Sequence, residues 1–461
     1  MRPSTHRPRL PSRLRVVSGA AVALCLALSA TACAGAGGGG SSADPDSVNV
    51  LMVNNPQMED LQRLTAENFT AKTGIKVNFT VLPENDVRAK IGQEFSSQAG
   101  QYDVASLSNY EIPFYSENGW LAPLDGYAAA DAAFDQRDIL PAYTASLTGA
   151  DGKLYGEPFY GESSFLMYRK DIFAAKGLTM PDHPTWSQVA DLAAKADGAQ
   201  PGMKGICLRG QPGWGQVFAP LTTVVNTFGG TWFDKDWNAK VDSPEFREAT
   251  QFYVDLVRSH GEAGAAQAGF TECLNSTSQG KSAMWYDATS AAGVLEAEGS
   301  PVKGKIGYAQ APVQKTASSG WLWTWSWGVQ AASKKKDAAW KFISWASSKD
   351  YEQLVASTLG WAKVPSGKRI STYDNPEFQK AAPFYTAERS AIEKADPKNP
   401  GLQERPAVGI QFVGIPEFAD LGTRVSQGVT AAIAGQGTVE DALAKGQEAA
   451  QKIGDKYKGQ E

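Results

Sequence analysis

The chain predicts an α/β fold, on three observations. Its N-terminal portion alternates short apolar strands with amphipathic helices, the pattern of a parallel sheet with helices packed on it. It has 461 residues, 42% hydrophobic and 20% charged, enough for two or three domains with their own cores. Past an N-terminal leader, no run is apolar enough to span a bilayer, and no repeat of solenoid period occurs.

The leader reads as an export signal. Arg2, Arg7, Arg9, Arg13 and Arg15 form a basic segment, and the apolar run Val16 to Ala30 follows, too short for a membrane span. Leu28-Ser29-Ala30-Thr31-Ala32-Cys33 resembles a bacterial lipobox, with Ala30 where leucine is preferred. Cys25 competes, but bulky Leu24 precedes it. The reading is a signal peptide over 1–32, with an acylated Cys33 as the mature N-terminus and ordinary secretion with release as the alternative. Residues 33–47 then carry a flexible Gly/Ser tether. Loss of the five leader arginines takes the formal charge from −5 to −10. That sign argues against nucleic acid and favours a neutral or cationic ligand.

Taken in order, Val48 to Val53 is an apolar strand ended by Asn54-Asn55-Pro56. Met58 to Thr73 is a helix on the spacing of Leu61, Leu64 and Phe69, stopped by Gly74. Ile75 to Val81 alternates as a strand, Asp86 to Ala99 is helical, and Tyr102 to Ser106 is the third strand. Ligands bind at the C-terminal ends of such strands. That rule picks out Asn55, and then Asn109 and Tyr110; turn chemistry accounts equally for the asparagines.

Lys153 to Tyr160 and Ser163 to Tyr168 read as strand pieces around Gly161-Glu162. Thr185 suits the N-cap of the next helix. Gly205 to Leu208 reads as a strand leading to the loop Arg209-Gly210-Gln211-Pro212-Gly213-Trp214-Gly215, where a cation and an aromatic sit among structure-breaking residues. Pro244 to His260 is an amphipathic helix. Lys281 to Trp285 is a short strand, after which Asp287 suits either an acceptor role or the N-cap of a helix. Ile306 to Pro312 is a strand. Lys334 to Ser347 and Glu440 to Tyr457 are helices.

Between them lies Trp321-Leu322-Trp323-Thr324-Trp325-Ser326-Trp327. Alternate residues of a strand share a face, so the four indoles form one wall. An indole offers a flat apolar face and one N–H donor, which suits the C–H face and hydroxyl rim of a sugar or sugar alcohol. Aromatic alternation also builds cores. The reading is that one to three rings line a pocket, Trp323 first, then Trp325 and Trp321, while Trp327 is core.

Catalytic signatures are scarce. Of three histidines, His6 lies in the leader, and His183 and His260 are far apart, which leaves little for a zinc site or a Ser-His-Asp triad. Gly280-Lys281-Ser282 lacks the first glycine of a P-loop, since Asn275 stands there. No dinucleotide fingerprint follows the first strand. No metal or cofactor is expected. Cys207 and Cys273 remain outside the leader, either as a disulfide or as two buried thiols.

Several motifs carry a resemblance: Pro158-Phe159-Tyr160-Gly161-Glu162-Ser163-Ser164, the Gly205 to Gly215 segment, Asn226-Thr227-Phe228-Gly229-Gly230, Met284-Trp285-Tyr286-Asp287-Ala288-Thr289, and the tryptophan run. The chain resembles the extracellular solute-binding proteins of ABC importers, the maltose-binding-protein-like group, and within it the sorbitol/mannitol (polyol) branch. The resemblance implies a two-lobed periplasmic-binding-protein-like fold, each lobe a sheet flanked by helices, with hinge strands and a ligand cleft between. By it, lobe 1 holds 48–160 and 309–348, and lobe 2 holds 161–308 and 349–461. The implied function is capture of a small carbohydrate or polyol by a monomer at the outer face of the cell membrane, for delivery to permease subunits. The alternatives are a lipid-anchored carbohydrate-active enzyme and a binder of a non-sugar solute. Asn55, Asn109, Tyr110, Glu162, Arg209, Trp214, Asp287, Trp321, Trp323 and Trp325 are the candidate ligand contacts.

Replacing Cys33 with alanine is expected to release the protein from the membrane fraction; protein that still sediments with membranes rejects the anchor.

Overall fold

Eight strands in two sheets organise residues 46–459, which are those described by the computed structural model. The leader, Cys33 and the Gly/Ser tether lie outside the described residues. Strand β1 (Ser47–Val53) pairs in parallel with β2 (Lys76–Leu82) and with β3 (Val104–Ser108). Both faces of β1 are covered, which is why it reads as a near-continuous apolar run. Next come β4 (Glu157–Glu162), β5 (Ser164–Arg169), β6 (Met284–Ala288), β7 (Ile306–Gln310) and β8 (Trp323–Val329).

The first sheet runs β2-β1-β3-β8-β4, with β8 antiparallel to both neighbours. The second runs β6-β5-β7, with β5 antiparallel to both. The chain leaves the first sheet through Ser163 alone and returns through residues 311–322. Strand pairing therefore puts Gly161 and Glu162 in the first sheet and Ala309 and Gln310 in the second. Those positions differ by two residues from the sequence-based lobe limits, because a strand's partners, not its own composition, decide its sheet. Backbones approach closely at the crossing. Gly367 has φ +87°, and a Cβ there would lie 1.9 Å from the Gly161 carbonyl oxygen.

The helices follow local signals. Thr185 caps the helix Trp186–Ala196 reciprocally with Gln188, and Ser243 caps Pro244–His260. The C-terminal part divides. Tyr351 packs its ring 5.8 Å from Phe159 of β4, and Leu140 N–H donates to the Lys368 carbonyl. By contrast, the helix Tyr385–Lys394 packs on β5 and β7, and Phe418–Ile433 packs on Val439–Tyr457. Among the described residues, no helix is long and apolar enough to cross a membrane.

Two local expectations change. Tyr286 and Asp287 belong to β6 and not to a helix start, so Asp287 is no N-cap. Gly205 to Leu208 is not a strand: it touches the β6 segment through isolated bridges, Lys204 to Ser282 and Cys207 to Trp285. Cys207 and Cys273 form a disulfide with Cα atoms 5.6 Å apart, joining this segment to the helix Phe270–Ser278. It anchors the loop that begins at Arg209.

The disulfide closes a 66-residue separation. Replacing both cysteines with serine is expected to lower stability by about 2–4 kcal/mol, read from urea unfolding midpoints.

Candidate functional site

Where β4 and β8 of the first sheet face the second, side chains from both halves line a small cavity of about 20 Å³. Hydrogen bonds draw the halves together around it. Gln57 donates to the Ser290 carbonyl (3.0 Å), Asn85 to the Pro212 carbonyl (3.1 Å) and Gln216 to Glu84 (3.2 Å).

Strand β8 supplies one wall. It is hydrogen-bonded on both sides, with Trp323 opposite Glu162 and Trp325 opposite Ser108 and Tyr160. Trp321, Trp323 and Trp325 line the cavity, and the Trp323 and Trp325 rings meet edge to face at 5.9 Å. Trp327 packs instead on Phe159 (5.2 Å) and Phe342 (5.7 Å), inside the core.

Arg88 forms the opposite wall. It rises from the helix Glu84–Ser97 and is buried, with its guanidinium 4.2 Å from the Trp214 ring, 4.8 Å from Trp325 and 5.0 Å from Trp323. It donates to Glu111 (2.9 Å) and to Glu84 (2.9 and 3.2 Å). The sequence reading did not single it out. The available signal was a charged residue at the spacing of Ile91 and Phe95, on the apolar stripe of a helix.

Arg209 lines the cavity from the second half. It grips Asp287 bidentately at 2.6 and 2.8 Å and donates to the Gly215 carbonyl at 3.0 Å. Burial disfavours its charge, but Asp287, then Glu84 and Glu162, outweigh that and raise its pKa. Asp287 is 0% exposed and also accepts from Trp285 Nε1 and the Ala288 N–H. It stands behind Arg209 and does not line the cavity. Removing the guanidinium leaves that carboxylate buried without a counter-ion, so Arg209 supports the fold as well as the cavity.

Asn55, at the end of β1, faces the cavity and donates to the Tyr160 hydroxyl at 2.7 Å. Glu162 accepts from Ser290 Oγ at 2.5 Å. Burial pushes its carboxyl up to about 8, against the pull of Ser290 and Arg209. The fold therefore assembles six of the ten expected contacts: Asn55, Glu162, Arg209, Trp321, Trp323 and Trp325.

It sets four elsewhere. Asp287 is the first. Asn109 spends its amide on the Leu322 carbonyl and the Thr324 N–H and lines a neighbouring cavity. Tyr110 lines that cavity too, packs its ring tilted at 48° and 4.7 Å from Trp214, and donates to the Ile415 carbonyl. Trp214 lines a third, on the far side of Arg88. Sequence reasoning missed Glu84, Arg88, Gln411 and Phe412 in the cavity wall.

The pattern of the bacterial extracellular solute-binding protein family matches residues 54–353. The chain belongs to that family. Among the family's relatives, a mannitol-binding protein of Pseudomonas aeruginosa is 38% identical over 405 residues, 87% of this chain and 92% of that one. Two solved ABC-transporter solute-binding proteins share the two-lobed fold. One, from Agrobacterium vitis S4 with bound D-mannitol, is 44% identical at TM-score 0.86, over 89% of this chain and 99% of that one. The other, from Agrobacterium radiobacter K84 in complex with ribitol, is 25% identical at TM-score 0.78, over 88% and 98%. These solute-binding relatives are named for binding, not for catalysis.

Glu157 of β4 is 0% exposed, and burial pushes it up to about 8, against an ordinary 4.5. Between these values the folded chain holds a proton that the unfolded chain releases, so stability falls as pH rises through that window. Glu157→Gln is expected to lose less stability than the wild type between about pH 5 and about pH 8.5, read from denaturant midpoints.

Proposed function

We propose that this solute-binding protein captures a sugar alcohol outside the cytoplasm and hands it to the permease of an ABC importer. The observation that carries this reading is one small cavity where an indole wall meets guanidinium, carboxyl and amide groups. Trp323 and Trp325 offer apolar faces to the C–H side of a carbon chain. Arg88, Arg209 and Asn55 supply donors and Glu162 and Glu84 acceptors for hydroxyls, which act as both. The mannitol- and ribitol-bound relatives support the same class of ligand.

A space of about 20 Å³ holds one or two waters. Ligand therefore enters a more open arrangement, and the halves close on it about the β4–β5 and β7–β8 crossings. On this reading the protein holds its ligand without converting it, and acylated Cys33 tethers it to the membrane beside the permease.

Tryptophan fluorescence is expected to shift saturably with D-mannitol, D-sorbitol or ribitol, with a Kd at or below about 1 μM, near −8 kcal/mol. The ligand should be recovered unchanged. Trp323→Ala is expected to weaken binding at least about tenfold while the chain stays folded. A flat response to every polyol and sugar, or chemical turnover of the ligand, rejects the reading.

A further inference from the structure

Residues 395–417 contain neither helix nor strand, and loops of that length inside a packed body are commonly functional. The loop is pinned to both halves. Asn226, in the helix Phe218–Phe228, donates to the Ile410 carbonyl at 2.9 Å. Tyr110, beyond β3, donates to the Ile415 carbonyl at 2.8 Å. Between these pins, Gln411 and Phe412 reach the small cavity, 4% and 6% exposed. Phe412 packs 4.8 Å from Trp214 and 5.4 Å from Trp323. Among the described residues, the Gln411 side-chain amide has no hydrogen-bond partner.

Gln411, Phe412 and Trp323 also line a second cavity, of about 520 Å³, which continues past Tyr110 and Phe114 to Val408. The two residues of the loop therefore stand as a partition. The other walls are held. Trp323 and Trp325 sit in a strand paired on both sides, Arg88 is bound by two glutamates, and Arg209 is bound by Asp287. Gln411 and Phe412 are carried by irregular backbone and have open space behind them.

We infer that Gln411 and Phe412 are specificity determinants, a movable end wall that sets the length of ligand the site accepts. Gln411 bonds the terminal hydroxyl of an unbranched alditol, and Phe412 closes over that end and refuses a sugar ring attached there. With Phe412 shortened, the two cavities join, and a ring lies between Tyr110 and Trp323. This inference rests on the polyol reading above.

The test is calorimetric titration of the wild type, Phe412→Ala and Gln411→Ala with D-mannitol, D-sorbitol and isomaltitol, which is sorbitol bearing one glucose ring on a terminal hydroxyl. The wild type is expected to bind a free alditol and to refuse isomaltitol. Phe412→Ala is expected to improve the isomaltitol-to-sorbitol affinity ratio at least about tenfold, and Gln411→Ala to weaken the free alditol about tenfold. If Phe412→Ala does not fold, Phe412→Leu reads the same ratio, and Gln411→Ala stands independently. A wild type that binds alditols, with variants that keep its ratio and affinity, overturns this inference alone. Equal binding of isomaltitol and sorbitol by the wild type also overturns it. A wild type that binds no alditol overturns the polyol reading, and this inference with it.

Discussion

The bidentate pair between Arg209 and Asp287 holds the second half of the cavity in shape. A buried guanidinium is tolerated only when its charge and its donors are matched, and Asp287 matches them at 2.6 and 2.8 Å. The carboxylate is in turn oriented by Trp285 Nε1 and by the backbone of Ala288. That orientation depends on β6 pairing with β5, and the loop that presents Arg209 is anchored by the Cys207–Cys273 disulfide. Arg88 repeats the device in the first half with Glu84 and Glu111. Two cations thus face a common space, Arg209 neutralised from behind by Asp287, and Arg88 by Glu111 and by Glu84 of the cavity wall itself. The cavity is polar without carrying a large net charge, a setting suited to an uncharged, hydroxyl-rich molecule.

The indole wall has a different origin. β8 lies between β3 and β4, so its backbone cannot shift register without breaking two ladders. The indoles are rigid because the strand is. Trp321, Trp323 and Trp325 line the cavity, and at Trp327 the neighbours are Phe159 and Phe342 of the core. One row of tryptophans therefore both lines the cavity and fills the core, divided by position along the strand. Arg88 spans the cavity end of that row, close to Trp323 and Trp325 together.

Much of the fold was legible in the chain. β1, the helix Pro244–His260 and the capped helix from Trp186 follow from apolar spacing and capping residues, which act over a few positions. The sheet that Gly161, Glu162, Ala309 and Gln310 join was not legible, because a strand joins whichever sheet offers it a partner. Gly205 to Leu208 looked like a strand by composition and formed only bridges, for the same reason. In the site, the residues found were those on strand ends and in the aromatic run, where direction follows from period. Asp287, expected among the ligand contacts, is held behind Arg209, since alternation along β6 does not reveal what stands in front of a side chain.

By itself, the sequence determined the α/β class, the apolar strand β1 and the capped helices, the shared face of the tryptophans within β8, and the absence of a P-loop or dinucleotide fingerprint. These are properties of neighbouring residues, set by backbone geometry and side-chain type. The tertiary structure alone decided that Arg88 and Glu84 enter the cavity, that Asn109 is spent on the start of β8, and that Gln411 and Phe412 arrive from more than 300 residues beyond Arg88. Contacts of that separation leave no period in the chain. They exist because two sheets and an irregular loop converge on one small volume, and only packing brings them there.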